Sequence, residues 1–280
     1  MSTPAVRSER TTPAPVLRAE GVRVGYDAAP VIPDLSVEIP EGRVTVIVGA
    51  NACGKSTLLK TLARLLKPRA GRVMLDDRDI AAIPGRELAR VVGLLPQHPE
   101  APEGITVSDL VGRGRYPHQG WMRRWSAEDD RVVAEALSAT ETATLADRSV
   151  GELSGGQRQR VWIALALAQD PSILLLDEPT TFLDLAHQLD ILDLLDTLNR
   201  TQGSTIVMVL HDLNLAARYA DHLIVMAGGR IIAEGAPAAV ITADTVREAF
   251  GLDCLVIADP VTGSPLVIPR GRLREGPTTP

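Results

Sequence analysis

Three stretches of the chain are apolar almost without a break: residues 44–48 (Val-Thr-Val-Ile-Val), 172–176 (Ser-Ile-Leu-Leu-Leu) and 205–210 (Thr-Ile-Val-Met-Val-Leu). Runs this short, with almost no polar alternation, predict strands buried on both faces of a parallel sheet. Residues 17–24, 35–39, 72–75 and 223–226 predict further short strands, and Gly228-Gly229 between Val225-Met226 and Ile231-Ile232 is a hairpin signal. Together these predict an antiparallel sheet beside the parallel core. Residues 57–66 and 158–169 carry helical patterns, and from 85 to 170 the chain turns mostly helical, most clearly over 127–139. The pattern therefore predicts an α/β fold with a mostly helical stretch within about 85–170. Residues 1–15, rich in Ser, Thr, Pro and Arg, read as a disordered lead-in, and 251–280 as an extension whose polar, proline-bearing end is loose.

Composition narrows the classes. A chain of 280 residues, 45% of them hydrophobic, holds one large α/β domain with an insert, or two small ones. The longest apolar helical run, residues 162–168, falls far short of the ~20 residues a membrane-spanning helix needs. Transport work by this chain would therefore require a separate pore subunit. The lead-in has no apolar centre and does not read as a signal peptide. Two cysteines point to a reducing compartment rather than a disulfide framework. A net charge of −6 argues against nucleic acid as a main partner and against adhesion to anionic lipid, so membrane attachment should run through protein contacts.

The chemistry gathers after the apolar runs. Gly49-Ala50-Asn51-Ala52-Cys53-Gly54-Lys55-Ser56-Thr57 satisfies G-x-x-x-x-G-K-[ST], between a predicted strand and a predicted helix. Its backbone N–H groups are suited to cradle phosphates, Lys55 to reach the β and γ positions, and the Ser56 hydroxyl to ligate Mg²⁺. Only three lysines stand beside twenty-six arginines, so compositional drift alone does not put an ammonium here. The same N–H dipoles, with Lys55, are expected to favour the thiolate of Cys53. Asp177 and Glu178 close the second run, where open α/β sheets bind ligands. Asp177 would hold the metal through water, and Glu178 would act as general base toward an attacking water. His211 closes the third run and is positioned to hydrogen-bond a γ-phosphate.

Leu153-Ser154-Gly155-Gly156-Gln157 opens the 158–169 helix with the S-x-x-Q spacing of a capping box. Two glycines in a first helical turn cost roughly 1 kcal/mol each relative to alanine. Close approach of backbone N–H groups to an anion would offset that cost. Gln97 and Tyr26 carry little signal alone, although in a chain that is 3% aromatic few rings are available to stack on a base. The run from Arg113 to Arg124, with Trp121 inside it and Trp125 just beyond, reads either as a solvated loop or as a docking surface for a partner helix.

Taken in order, Tyr26, residues 49–57, Gln97, residues 153–157, residues 173–178, Asp184 and His211 resemble the A-loop, Walker A, Q-loop, signature, Walker B, D-loop and H-loop of an ABC ATPase. The resemblance covers about residues 16–250 and departs only locally, at Cys53 and at Phe182-Leu183-Asp184. It implies a P-loop NTPase (RecA-like) core with an antiparallel β subdomain and an inserted α-helical subdomain. It implies ATP and Mg²⁺ as cofactors, with Ser56, Gln97 and Asp177 around the metal and Glu178, His211, Lys55 and Gln97 in catalysis. Tyr26, Gly49, Asn51, Cys53, Gly54, Lys55, Ser56 and Thr57 would contact one nucleotide. Ser154, Gly155, Gly156, Gln157 and Asp184 lie on other segments and would contact the nucleotide of a second chain in a head-to-tail homodimer.

Residues 112–118, 182–188, 210–214 and 250–254 are similar to ATPases of ferric-siderophore importers, and heme and vitamin B12 importers share much of the pattern. This implies a cytoplasmic-face subunit on two transmembrane permease subunits, served indirectly by an extracytoplasmic solute-binding protein, with no nucleic acid involved. The competing class is a soluble single-unit ABC ATPase of the cluster-assembly type.

Overall fold

The computed structural model describes residues 16–26, 29–119 and 125–271. The 1–15 lead-in, Asp27, Trp121 with the basic residues up to Arg124, and the chain end from 272 lie outside the described residues.

In chain order the first elements are β1 (Leu17–Val24), β2 (Ile32–Ile39), β3 (Val44–Gly49), α1 (Lys55–Leu62), β4 (Ala70–Leu75) and β5 (Arg78–Asp79). Next come α2 (Gly85–Val91), β6 (Val92–Leu95), α3 (Val107–Gly112), a 3₁₀ turn over Arg113–His118, α4 (Ala127–Ala139) and α5 (Gly155–Ala168). The chain continues through β7 (Ile173–Asp177), α6 (Leu185–Gln202), β8 (Thr205–Val209), α7 (Leu213–Tyr219), β9 (His222–Ala227) and β10 (Arg230–Gly235). It ends in α8 (Pro237–Val240), α9 (Ala243–Phe250) and the hairpin β11 (Cys254–Ala258) and β12 (Pro265–Pro269).

A six-stranded sheet, ordered β10-β9-β3-β8-β7-β6, forms the centre, and every pairing from β9 to β6 is parallel. Side chains alternate across a strand, so the unbroken apolar runs divide between two cores. Ile47, Ile173, Leu175, Val207 and Val209 face the antiparallel sheet β2-β1-β4-β5 and helix α1. Val46, Val48, Leu174, Leu176, Ile206 and Met208 face the helices on the other side. A buried aliphatic side chain contributes roughly 1.5–3 kcal/mol, and these strands bury one on each face at nearly every step.

Two pairings differ from the sequence expectation. Residues 223–226 were expected in the antiparallel sheet, but β9 lies in the central sheet, parallel to β3 and hairpinned to β10. The Gly228-Gly229 turn specifies one neighbour of β9 and carries nothing about the other. Within the mostly helical stretch, Val92–Leu95 is a strand and closes the central sheet against β7.

The helical segment is tied down by one buried ion pair. Ser126 and Asp129 form a capping box at the start of α4. The other Asp129 oxygen accepts from Arg115 Nε at 3.0 Å, while Arg115 Nη1 donates to the last α5 carbonyl, Ala168 O, at 2.9 Å. Arg115 and Asp129 are 5% and 1% exposed, so this arginine of the 113–124 run is structural and not available for docking. Burial pushes the Asp129 carboxyl up, but the bonds from Ser126 and Arg115 outweigh it and hold the group below its ordinary value. Its stabilisation is therefore full at neutral pH and is lost as pH falls through the folded-state value. Arg115→Ala should leave Asp129 buried and unpaired, and should cost about 3–5 kcal/mol in a denaturant titration. An unchanged midpoint would contradict the assignment.

Candidate functional site

Parallel strands align their carboxyl ends, so the segments leaving β3, β6, β7 and β8 emerge on one edge of the sheet. They meet around a cavity of about 490 Å³. Asn51, Gly54, Lys55, Ser56 and Thr57 line it from the loop after β3. Gln97, Glu178 and His211 line it from the loops after β6, β7 and β8, and Tyr26 and Val31 from the connection between β1 and β2.

The β3–α1 loop is built by close packing. A Cβ on Gly49 would come within 2.2 Å of Met226 O on the neighbouring strand, so only glycine lets the loop start here. Lys55 is 5% exposed, and its Nζ donates to Gly49 O at 2.9 Å and Ala50 O at 3.0 Å, bending the loop over its own ammonium. Thr106, Ser126, Ser154, Asp184, Asp212 and Thr242 cap their helices with side-chain oxygens. Helix α1, preceded by Gly54, has no side-chain cap, which leaves its first N–H groups free to meet an anion.

Cys53 does not line the cavity. Its sulfur lies where a Gly49 Cβ would meet it at 2.7 Å, and it belongs to the apolar core under the loop. The expected thiolate is not favoured: burial pushes the thiol up, and the Lys55 charge and backbone N–H groups offset only part of this.

Beneath the cavity, Ser56 Oγ donates to Asp177 Oδ1 at 2.7 Å. Asp177 Oδ2 is buried with no hydrogen-bond partner among the described residues. Burial raises the Asp177 carboxyl, with the Ser56 bond and the Lys60 charge offsetting part of the effect. A hydroxyl beside a carboxylate with an unused buried oxygen is an oxygen-donor set that suits a hard divalent cation.

Glu178 is the most constrained group. Its Oε1 lies 2.7 Å from His211 Nε2, and its Oε2 accepts from Gln97 Nε2 at 2.5 Å and Thr181 Oγ1 at 3.0 Å. Burial raises the carboxyl, but the bonds from His211, Thr181 and Gln97 outweigh it and hold Glu178 below its ordinary pKa. His211, expected at a γ-phosphate, thus spends its Nε2 on the carboxylate. Thr181 escaped the sequence reading; the available signal was a hydroxyl three residues after a strand-end acid, the spacing of a turn.

Ser154, Gly155, Gly156, Gln157 and Asp184 do not line this cavity. Ser154 and Gln157 form the capping box that opens α5, and Asp184 caps α6. The two helix starts adjoin, for a Cβ on Gly156 would come 2.6 Å from the His187 ring. Gly156 therefore has a packing reason inside its own chain, in addition to any anion outside it.

A sequence-family profile described as ABC transporter matches residues 32–181. The chain is 54% identical to the achromobactin transport ATP-binding protein CbrD of Dickeya dadantii, covering 89% of this chain and 93% of that protein. It is 53% identical to the ferric enterobactin transport ATP-binding protein FepC of Escherichia coli, covering 91% and 94%. Among solved structures, a bacterial ABC transporter cassette determined as a dimer superposes with a TM-score of 0.70 at 30% identity, covering 79% of this chain and 98% of that one.

Cys53 and Cys254 are both buried. Alkylation of either thiol in the native protein at neutral pH should therefore be slow by mass spectrometry, and fast once guanidinium unfolds the chain. Rapid native labelling of Cys53 would contradict its burial under the phosphate loop.

Proposed function

The chain belongs to the ABC transporter ATPases, and from that membership we propose that it hydrolyses ATP to drive uptake of ferric siderophores through a separate permease. The observation that carries the chemistry is the Glu178 carboxylate, fixed by His211, Gln97 and Thr181 at the rim of the cavity that Lys55 and Ser56 line.

Tyr26 is 59% exposed at the cavity mouth and would stack on the base. The uncapped start of α1 and the Lys55 ammonium would hold the phosphates. Ser56, Asp177 and Gln97 would hold Mg²⁺, which when bound neutralises charge on the β- and γ-phosphate oxygens. Glu178 accepts a proton from the attacking water as the water oxygen bonds to the γ-phosphorus and the bond to the leaving ADP oxygen breaks. Both Glu178 oxygens accept hydrogen bonds in the structure, so Oε2 would gain a free lone pair for the water's proton once Gln97 releases its amide from it. His211 and Thr181 keep the carboxylate aimed meanwhile.

The signature segment requires a second copy. Ser154 and Asp184 start two adjoining helices away from the Lys55 cavity, so the chain would pair head to tail with another, each nucleotide lying between Lys55 of one copy and Ser154 of the other. Closure completes the charge clamp and hydrolysis releases it. Among the described residues no helix is long and apolar enough to cross a membrane. From the transport names of the relatives we infer two permease subunits holding the dimer at the cytoplasmic face, with an extracytoplasmic binding protein selecting the chelate. A groove of about 690 Å³ on the helical segment, with Tyr116, Trp125, Ile105 and Leu137 in its walls, would receive a permease helix. The solute class follows the two relatives named above, whose names give achromobactin and ferric enterobactin transport.

Glu178→Gln should bind ATP as the wild type does while turnover falls by about 100-fold or more, the scale for loss of a general base. The same variant, unlike the wild-type gene, should fail to restore growth of a deletion strain on a ferric siderophore as iron source. Wild-type hydrolysis by Glu178→Gln would remove the carboxylate from the mechanism. Unchanged radio-iron uptake in the deletion strain would remove iron, and a defect confined to heme or vitamin B12 uptake would reassign the solute.

A further inference from the structure

The nucleotide chemistry leaves His187 without a task, although it lies between two segments assigned to the partner's site. Its Nδ1 is 2.7 Å from Asp184 Oδ1, the oxygen that also accepts the His187 backbone N–H at 3.0 Å. These two bonds, backbone first, hold the Asp184 carboxyl below its ordinary pKa, so it is an acceptor and the imidazole proton sits on Nδ1. The other side of the ring rests on α5: a Cβ at Gly156 would come 2.6 Å from Cδ2 and 3.3 Å from Nε2. Leu183 lies on the same side, where a Cβ built on Gly155 would stand 3.8 Å from its Cδ2.

The cap of α6 does not need this ring. Asp184 takes the backbone N–H of residue 187, which any residue except proline supplies. What the imidazole adds is the bridge from the Asp184 loop to the first turn of α5. Through it, Ser154 at one helix start and Asp184 at the other belong to one joined surface.

We propose that His187 is a positioning residue, locking the Ser154 helix start and the Asp184 loop in one register so that both reach the partner copy's nucleotide together. This rests on the reading that the sites are shared between two copies. The consequence is a defect in trans: losing His187 harms the site built on the other chain's Lys55 and spares its own.

His187→Ala tests this at a half-exposed helical position where alanine is the best helix former, so folding should be unaffected. Nucleotide affinity of the variant should stay within about twofold of wild type, while kcat falls about tenfold or more, as misplaced catalytic groups do. His187→Asn retains a donor toward Asp184 but no ring over Gly156, and should be as slow as His187→Ala. Mixed with Lys55→Ala protein, His187→Ala should recover hydrolysis, because one site of each mixed dimer then has an intact Lys55 facing an intact His187. Mixing Ser154→Arg with Lys55→Ala is the control.

Wild-type kcat in either His187 variant would overturn the assignment. So would failure of the His187→Ala mixture to recover where the Ser154→Arg mixture does. If neither mixture recovers while mixed dimers form, the shared-site reading falls and the inference with it.

Discussion

A strand buried on both faces has only its ends to offer to chemistry. β3, β6, β7 and β8 are parallel neighbours whose side chains are spent on two cores. Their carboxyl ends must therefore carry whatever the sheet does, and they lie on one edge. Each delivers a different group there: the Lys55 loop, Gln97, the Asp177-Glu178 pair and His211. The loops are anchored by core packing, as the Gly49 approach to Met226 and the buried Cys53 sulfur demonstrate. A change in the core beneath these loops is thus a change in the site.

Three of the seven non-glycine residues with positive φ among the described residues lie in these loops. Ala52, Glu178 and Phe182 have φ of 63°, 55° and 66°, in the left-handed region. Each costs roughly 1 kcal/mol or more for a residue with a Cβ. For Glu178 the three hydrogen bonds on its carboxylate offset that cost and fix the base. Phe182 has less around it: its ring is 87% exposed and tilted against His98, the residue after Gln97. The loop before α6 is thereby held against both the Gln97 segment and, through His187, the start of α5.

Sequence made the central strands legible because burial on both faces writes itself as an unbroken apolar run, and α4 because residues 127–139 carry a helical pattern. Motif spacing likewise gave the residues around the cavity. What stayed hidden depends on distant segments. Nothing local to 222–227 says that β9 pairs with β3, about 180 residues earlier in the chain. The four-residue β6 is shorter than the helical pattern around it. Cys53 read as activated because its neighbours in sequence are N–H dipoles and Lys55, whereas its neighbours in space are apolar. The packing reason for Gly156 stayed hidden because the ring against it comes from α6, about thirty residues downstream.

The proposed head-to-tail pairing makes this cavity half of a site, with a second copy of the chain supplying the rest. Light scattering of the Glu178→Gln protein with ATP and Mg²⁺ measures it most directly, since slowed hydrolysis holds the closed state. A monomer without nucleotide should become a dimer with ATP, and adding Ser154→Arg should keep it monomeric even though each Lys55 cavity still binds ATP. A protein that stays monomeric at saturating ATP, or a Ser154→Arg double variant that dimerises as readily, would contradict the claim.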